Sequence, residues 1–310
     1  MNGPFRVGLL LTERCDIACA HCWLEPSSNG ADMSLDEAQD YIDQTSSIPT
    51  VEWISFTGGE PFLLPGLLNE LVGYASAKGL RTECVTNCSW AETPEKTEEK
   101  LKTLKESGLD VVNISADDFH QEFVPFENVR NCFEAARSLG LKTVIMSAAQ
   151  AGGTLRLAEI INRLGPEEIG TLGEGESTEG LSAIAVETGF IPVGRGAEIP
   201  RNRWLIGESP TEGPCRLVLR DSGIDPRGEL LACCSAASLL ARGRLGSIVG
   251  TGIRQLLDDA GEQPLFKILS EQGPSSLADS LGINWKEGFV SRCHLCHEVL
   301  KDPRLDEAIV

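Results

Sequence analysis

No apolar run in this 310-residue chain is long enough to cross a membrane or to form the core of a signal peptide. The first candidate, VGLLL at 7–11, stops short and meets charge at Glu13 and Arg14. That absence predicts a cytoplasmic protein with no membrane partner. Basic residues are scarce, 27 Lys and Arg against 46 Asp and Glu. The resulting net charge of -19 argues against a broad basic surface for nucleic acid or anionic lipid and leaves small molecules or a basic peptide as partners. An even cysteine count is also missing: eleven thiols cannot all pair within one chain. In a reducing compartment they point to metal ligands or catalytic groups. There is no internal repeat beyond a strand and helix alternation, and no low-complexity tract.

What is present is a chain 41% hydrophobic, enough for one large domain and a smaller appendage. Six short β-branched runs recur at 7–12, 51–58, 80–87, 110–116, 141–148 and 181–189. Helical spacing lies between them, with a capping box at Ser34 to Glu37 and a cap followed by proline at Thr93-Pro94. Strand then helix, repeated, requires right-handed crossovers and a parallel sheet. The expected fold is α/β, a partial (β/α)6 TIM-type barrel over residues 1–210. A flat doubly wound sheet is the competitor. The cysteines return after Pro210, so residues 211–310 are expected to form a small α+β domain. The acidic stretch EEIGTLGEGESTEG at 167–180 reads as a mobile loop, because no helix follows it to supply a phosphate-binding dipole.

Chemistry-bearing residues fall just after the predicted strands, where ligand sites of parallel sheets collect. Cys15, Cys19 and Cys22 form CDIACAHC. Three thiolates would leave one iron of a four-iron cluster without a protein ligand and open to a chelating small molecule. A zinc site completed by His21 or a remote ligand, or plain packing, are the alternatives. With FTGGEP at 56–61, the pattern resembles the radical SAM superfamily over the stretch to about residue 200. The resemblance implies a [4Fe-4S] cluster on the three cysteines and S-adenosyl-L-methionine chelated to its open iron. It places Gly58, Gly59 and Glu60 at the methionine amino group and His21 against adenine. Ser115 and Asp117 fall where polar groups meet ribose or carboxylate, and Asn87 and Arg195 at recurring polar positions on later strands. It also implies a 5'-deoxyadenosyl radical that removes hydrogen from substrate, and a reducing partner such as flavodoxin or ferredoxin.

Cys215, Cys233, Cys293 and Cys296 resemble the shortened auxiliary-cluster (twitch) domain of two-cluster members of that superfamily, which implies a second [4Fe-4S] cluster with four protein ligands. Zinc suits four thiolates equally. His294 and His297 flank the CxxC and could replace a ligand. Cys234 is surplus to those four. The CCS arrangement, with ISADDFH and the CxxC tail, resembles radical SAM peptide epimerases, which invert L-residues to D-residues in ribosomally made peptides. The resemblance makes Cys234 the hydrogen donor to the substrate radical. Cys88, at the predicted barrel mouth, is a rival donor; Cys84 and Cys132 read as core. A dehydrogenase of an amino-sugar or cyclitol alcohol, a thioether-forming peptide maturase, and a non-enzymatic iron-sulfur or zinc scaffold remain as other functions of the same motifs.

Overall fold

The computed structural model describes residues 3–166, 169–171 and 180–309. Its ten strands are β1 (Arg6–Thr12), β2 (Trp53–Gly58), β3 (Arg81–Thr86), β4 (Val111–Ser115), β5 (Lys142–Ala149), β6 (Gly170–Thr171), β7 (Ala183–Gly189), β8 (Asp221–Ile224), β9 (Glu229–Leu231) and β10 (Arg244–Ser247). They make one sheet in the order β10-β9-β8-β1-β2-β3-β4-β5-β7-β6. Every pairing from β8 across to β6 is parallel, and the β8–β9 and β9–β10 pairings are antiparallel. The fold is the expected α/β partial barrel, with β1 to β5 and β7 as its six expected strands.

Between these strands run α1 (Leu35–Ser46), α2 (Pro65–Ala77), α3 (Pro94–Ser107), α4 (Phe126–Ser138) and α5 (Leu157–Leu164). The predicted start signals operate. Ser34 and Glu37 cap α1 reciprocally, and Thr93 accepts from Lys96 N–H just before Pro94 opens α3. Alternation along the strands sorts the side chains. Val7, Leu9 and Leu11 of β1, Ile54 and Phe56 of β2 and Val112 and Ile114 of β4 enter the core under the helices. The opposite face carries Arg6, Glu83 and Asp221, joined by ion pairs from Arg6 to both acids. That face is the inside of the partial barrel.

The sheet continues across residue 210, since β8 pairs along β1 from Arg6 to Leu9. The C-terminal part adds α6 (Ile253–Glu262), α7 (Pro264–Glu271), α8 (Pro274–Leu281), α9 (Arg292–Lys301) and α10 (Leu305–Ala308). The main core takes side chains from both parts, among them Phe56, Phe266, Leu295 and Val299. Of the acidic stretch expected as a loop, residues 167–168 and 172–179 lie outside the described residues. Gly170 and Thr171 form β6, beside β7. No helix among the described residues is long and apolar enough to cross a membrane.

Candidate active site

The loop leaving β1 is pinned before its first cysteine. Arg14 Nε donates to Asp32 Oδ1 (2.9 Å), and Thr12 Oγ1 donates to the same oxygen (2.6 Å). The end of β2 lies flush against it, with Gly59 N–H on Thr12 O (2.7 Å) and Glu60 N–H on Arg14 O (2.9 Å). Only glycine permits this approach: a Cβ on Gly59 would lie 1.8 Å from Arg14 O, and Gly58 has φ +132° with Thr12 O 2.5 Å from its Cβ position. The two glycines thus serve the cysteine loop directly, through main-chain packing.

Cys15, Cys19 and Cys22 line one cavity of about 320 Å³ together with His21, Gly58 and Gly59. Asn87, Ser115, Asp117 and Arg195 complete the set of predicted residues on its wall. Their strands explain the convergence, because each lies at or beyond the carboxyl end of a parallel strand. Val85, Met146 and Val186 add an apolar side that the sequence reading did not assign, and Met146 is exposed there.

Glu60 is 1% exposed and, unlike the other predicted cofactor contacts, is not on the cavity wall. It accepts from Asn87 N–H (2.8 Å), Thr86 Oγ1 (2.9 Å) and Phe62 N–H (3.1 Å). Burial pushes its pKa up to about 7 against these hydrogen bonds. Asp117 is similarly occupied, by Phe119 N–H, His120 N–H, Ala148 N–H and His120 Nδ1 at 2.9–3.0 Å. Burial opposes its charge, yet His120 and the hydrogen bonds hold its pKa below the ordinary value. The same partnership overcomes burial at His120 and raises that imidazole to about 10.

His120 was not singled out from sequence. Its only signal was the three-residue step from Asp117, which places both groups in one turn. His21 lies tilted against Phe119 (4.6 Å between centroids) and meets His120 edge to face (5.0 Å), and burial lowers its pKa to about 4. It is therefore neutral near pH 7. His21 Nδ1 and Arg195 Nε are buried without a hydrogen-bond partner, and both belong to residues of the cavity wall. Two orphaned polar atoms beside three loop sulfurs fit a cluster with a polar ligand next to it. Among the described residues, His21 falls within 4.8 Å of Asp117 and His120 ligand atoms, and no group of that compactness includes a cysteine. Zinc with His21 would need such a group.

The second set also converges. Cys293 and Cys296 sit one turn apart on α9, whose first turn is capped by Ser291 accepting from His294 N–H. Burial, then the charges of Cys233, Cys293 and Cys215, push Cys296 well above the ordinary thiol range. Burial likewise drives Cys233 to about 12. No three of these sulfurs lie within 4.8 Å of one another. His294 turns toward Trp204 (5.5 Å) and Phe289 (5.1 Å), and His297 Nδ1 meets Glu298 Oε1 at 2.9 Å.

Cys234 does not line the cavity. It is exposed, while dense surroundings and then the charge of the nearby Asp221 carboxylate push its pKa well up. Arg6 is its other charged neighbour. These partners put it on the inner face of the sheet, at the end of β1 remote from the cysteine loop. Cys88 corrects the reading that set it at the barrel mouth. It is wholly buried at φ +63°, with its thiol against Cys132. Cys84 and Cys132 are core, as expected.

Residues 9–164, half of the chain, match the Radical SAM superfamily model, and the chain belongs to that superfamily. It is accordingly a radical SAM enzyme, a family that implies S-adenosylmethionine and a [4Fe-4S] cluster. It is 26% identical over 132 residues to YydG of Bacillus subtilis (strain 168), a protein named for peptide biosynthesis; the match covers 42% of this chain and 41% of YydG. Matches to the first curated relatives span between 30% and 54% of their lengths. Among solved structures, BtrN with AdoMet and 2-DOIA has TM-score 0.53 at 18% identity, covering 87% of this chain and 89% of BtrN. Streptococcus suis SuiB bound to its precursor peptide SuiA has TM-score 0.53 at 13% identity, covering 96% of this chain and 76% of SuiB. At these identities the likeness concerns the fold.

Proposed function

We propose that this radical SAM enzyme inverts an L-residue to a D-residue in a ribosomally made peptide, with Cys234 as hydrogen donor. The observation that carries the reading is the exposed Cys234 thiol beside Asp221 and Arg6 at the inner face of the sheet. Likeness to YydG supports a peptide as substrate class. Cys15, Cys19 and Cys22 hold three irons in this reading, and neutral His21 and the free Arg195 Nε face the nucleoside and its carboxylate. When bound, the cofactor would supply radical chemistry able to take a hydrogen atom from substrate Cα. Cys234 returns a hydrogen atom to the opposite face: its S–H bond breaks, the new C–H bond forms, and the thiyl left behind needs one electron and one proton from the external reductant. Six residue steps of β1 separate Arg6 from Thr12, roughly 20 Å, so the nucleoside and a substrate residue would have to lie between the cysteine loop and Cys234.

Cys215, Cys233, Cys293 and Cys296 hold a second cluster in this reading, in a unit beginning near residue 211. Four thiolates suit zinc and a four-iron cluster alike, and membership of the radical SAM superfamily favours iron and sulfur here. The physiological reductant belongs to the flavodoxin or ferredoxin class, and the setting is cytoplasmic. The test is incubation of reduced enzyme, in heavy water, with synthetic candidate peptides made only of L-residues. Wild type should give a D-residue carrying solvent deuterium at Cα; Cys234→Ala should still release 5'-deoxyadenosine but give no inverted product. Inversion by the variant, or a product two hydrogens lighter, refutes the reading.

A further inference from the structure

Asn87 stands on the cavity wall with a side chain whose direction is decided by its neighbours. Its Oδ1 accepts from Ser89 N–H at 2.8 Å, so the amide nitrogen must face the other way. That nitrogen meets Asp16 Oδ1 at 3.0 Å and Cys15 Sγ at 3.7 Å, one partner for each of its two hydrogens. The second distance is ordinary for an N–H donor on sulfur. Asp16 is itself held by Ser89 Oγ, which donates to Oδ2.

The backbone beneath is fixed as firmly. Asn87 N–H rests on buried Glu60, Asn128 Nδ2 donates to Cys88 O (3.3 Å) and Ser89 O (3.0 Å), and Trp90 stacks on Phe62 at 4.0 Å. So many restraints on one amide exceed what a solvated strand-end residue needs. They aim a neutral donor at the sulfur of the first loop cysteine.

We infer that Asn87 is a positioning residue of the cluster itself, donating a hydrogen bond to the Cys15 thiolate and thereby raising the reduction potential of the N-terminal cluster. This rests on the reading that Cys15, Cys19 and Cys22 hold that cluster. A hydrogen bond to a ligand sulfur stabilises the more negative, reduced state, and such bonds are among the determinants of cluster potential. Asp16, one residue from the thiolate, would act in the opposite sense. Asn87 turns one N–H to each of them and so separates the two negative groups.

The test compares Asn87→Asp with Asn87→Leu in the reconstituted enzyme, by EPR-monitored redox titration without substrate. The aspartate keeps an acceptor for Ser89 N–H but loses the donor; the leucine loses both without adding charge. In both, the reduced to oxidised ratio at a fixed potential should fall about tenfold, equivalent to about 59 mV for one electron. An unshifted midpoint in Asn87→Leu overturns the inference, including where Asn87→Asp alone shifts, since added charge would then explain it. If Asn87→Leu takes up no iron, Asn87→Gln, which retains the donor, decides: restored loading with a near wild-type midpoint supports the inference, and continued failure overturns it. Failure of the underlying reading is separate, because wild-type protein would then show no change of cluster EPR signal on addition of S-adenosylmethionine.

Discussion

Replacing Gly59 by alanine tests the claim that the glycine pair positions the cysteine loop. The new Cβ would lie 1.8 Å from Arg14 O, 2.4 Å from Arg14 C and 3.1 Å from Cys15 N, all main-chain atoms that no rotamer change can move aside. The loop must retreat by about 1 Å or more to restore a normal contact. That retreat strains or breaks the hydrogen bonds from Gly59 N–H to Thr12 O and from Glu60 N–H to Arg14 O. At about 1 kcal/mol each, with about 1–2 kcal/mol of overpacking strain, the cost is about 3–4 kcal/mol. Urea unfolding of the metal-free protein should show this loss, and iron retained at the N-terminal site after reconstitution should fall. Gly66→Ala is the control. It lies in the first turn of α2 with nothing within 4 Å of its Cβ position, and should change stability by less than about 1 kcal/mol. A Gly59→Ala protein with wild-type stability and full iron uptake would refute the reasoning.

Other expectations follow from single residues. Cys88 sits at φ +63°, so Cys88→Gly relieves backbone strain while losing a small buried side chain, and should stay within about 1 kcal/mol of wild type. Cys88→Val, β-branched in the same conformation, should lose at least about 2 kcal/mol in thermal unfolding, and equal stability of the two variants would contradict this. Glu60 binds its proton more tightly folded (pKa about 7) than at the ordinary value of 4.5. Its contribution is therefore fully present below pH 4.5 and is lost as pH rises toward 7, about 3 kcal/mol over that window. Glu60→Gln should flatten this part of the metal-free protein's stability profile, whatever it costs overall. Cys293→Ala with Cys296→Ala should halve the bound iron, from about eight to about four per chain, without removing the S-adenosylmethionine-sensitive signal. Unchanged iron content would reject the second site.

The strands were legible because a parallel strand buried on both faces reads as a short apolar run, as ISF does in β2 and VVNI in β4. β8 was not. Its sequence, DSGI, is polar and short, and it joins the sheet through pairing with β1 and the Arg6 to Asp221 ion pair, contacts more than two hundred positions apart in the chain. The three loop cysteines and the GGE turn could be read from spacing. The reason for the glycines could not, because the atoms that exclude a side chain belong to Arg14 and Thr12 of another segment. Cys88 misled for a local reason. A residue just past a strand points by default toward the mouth, but its left-handed backbone turns the thiol back onto Cys132 of α4. His120 was hidden for the opposite reason, since its place depends on the ring of His21 from a different loop.

The claim on which the reaction depends is that three loop sulfurs leave one iron free for the substrate nucleoside. Mössbauer spectra of the Cys293→Ala/Cys296→Ala protein, reconstituted with iron-57 and recorded with and without S-adenosylmethionine, address it most directly. One iron in four should change its isomer shift when S-adenosylmethionine is added. Four irons that stay unaltered, or a site that takes zinc and refuses iron, would contradict the account.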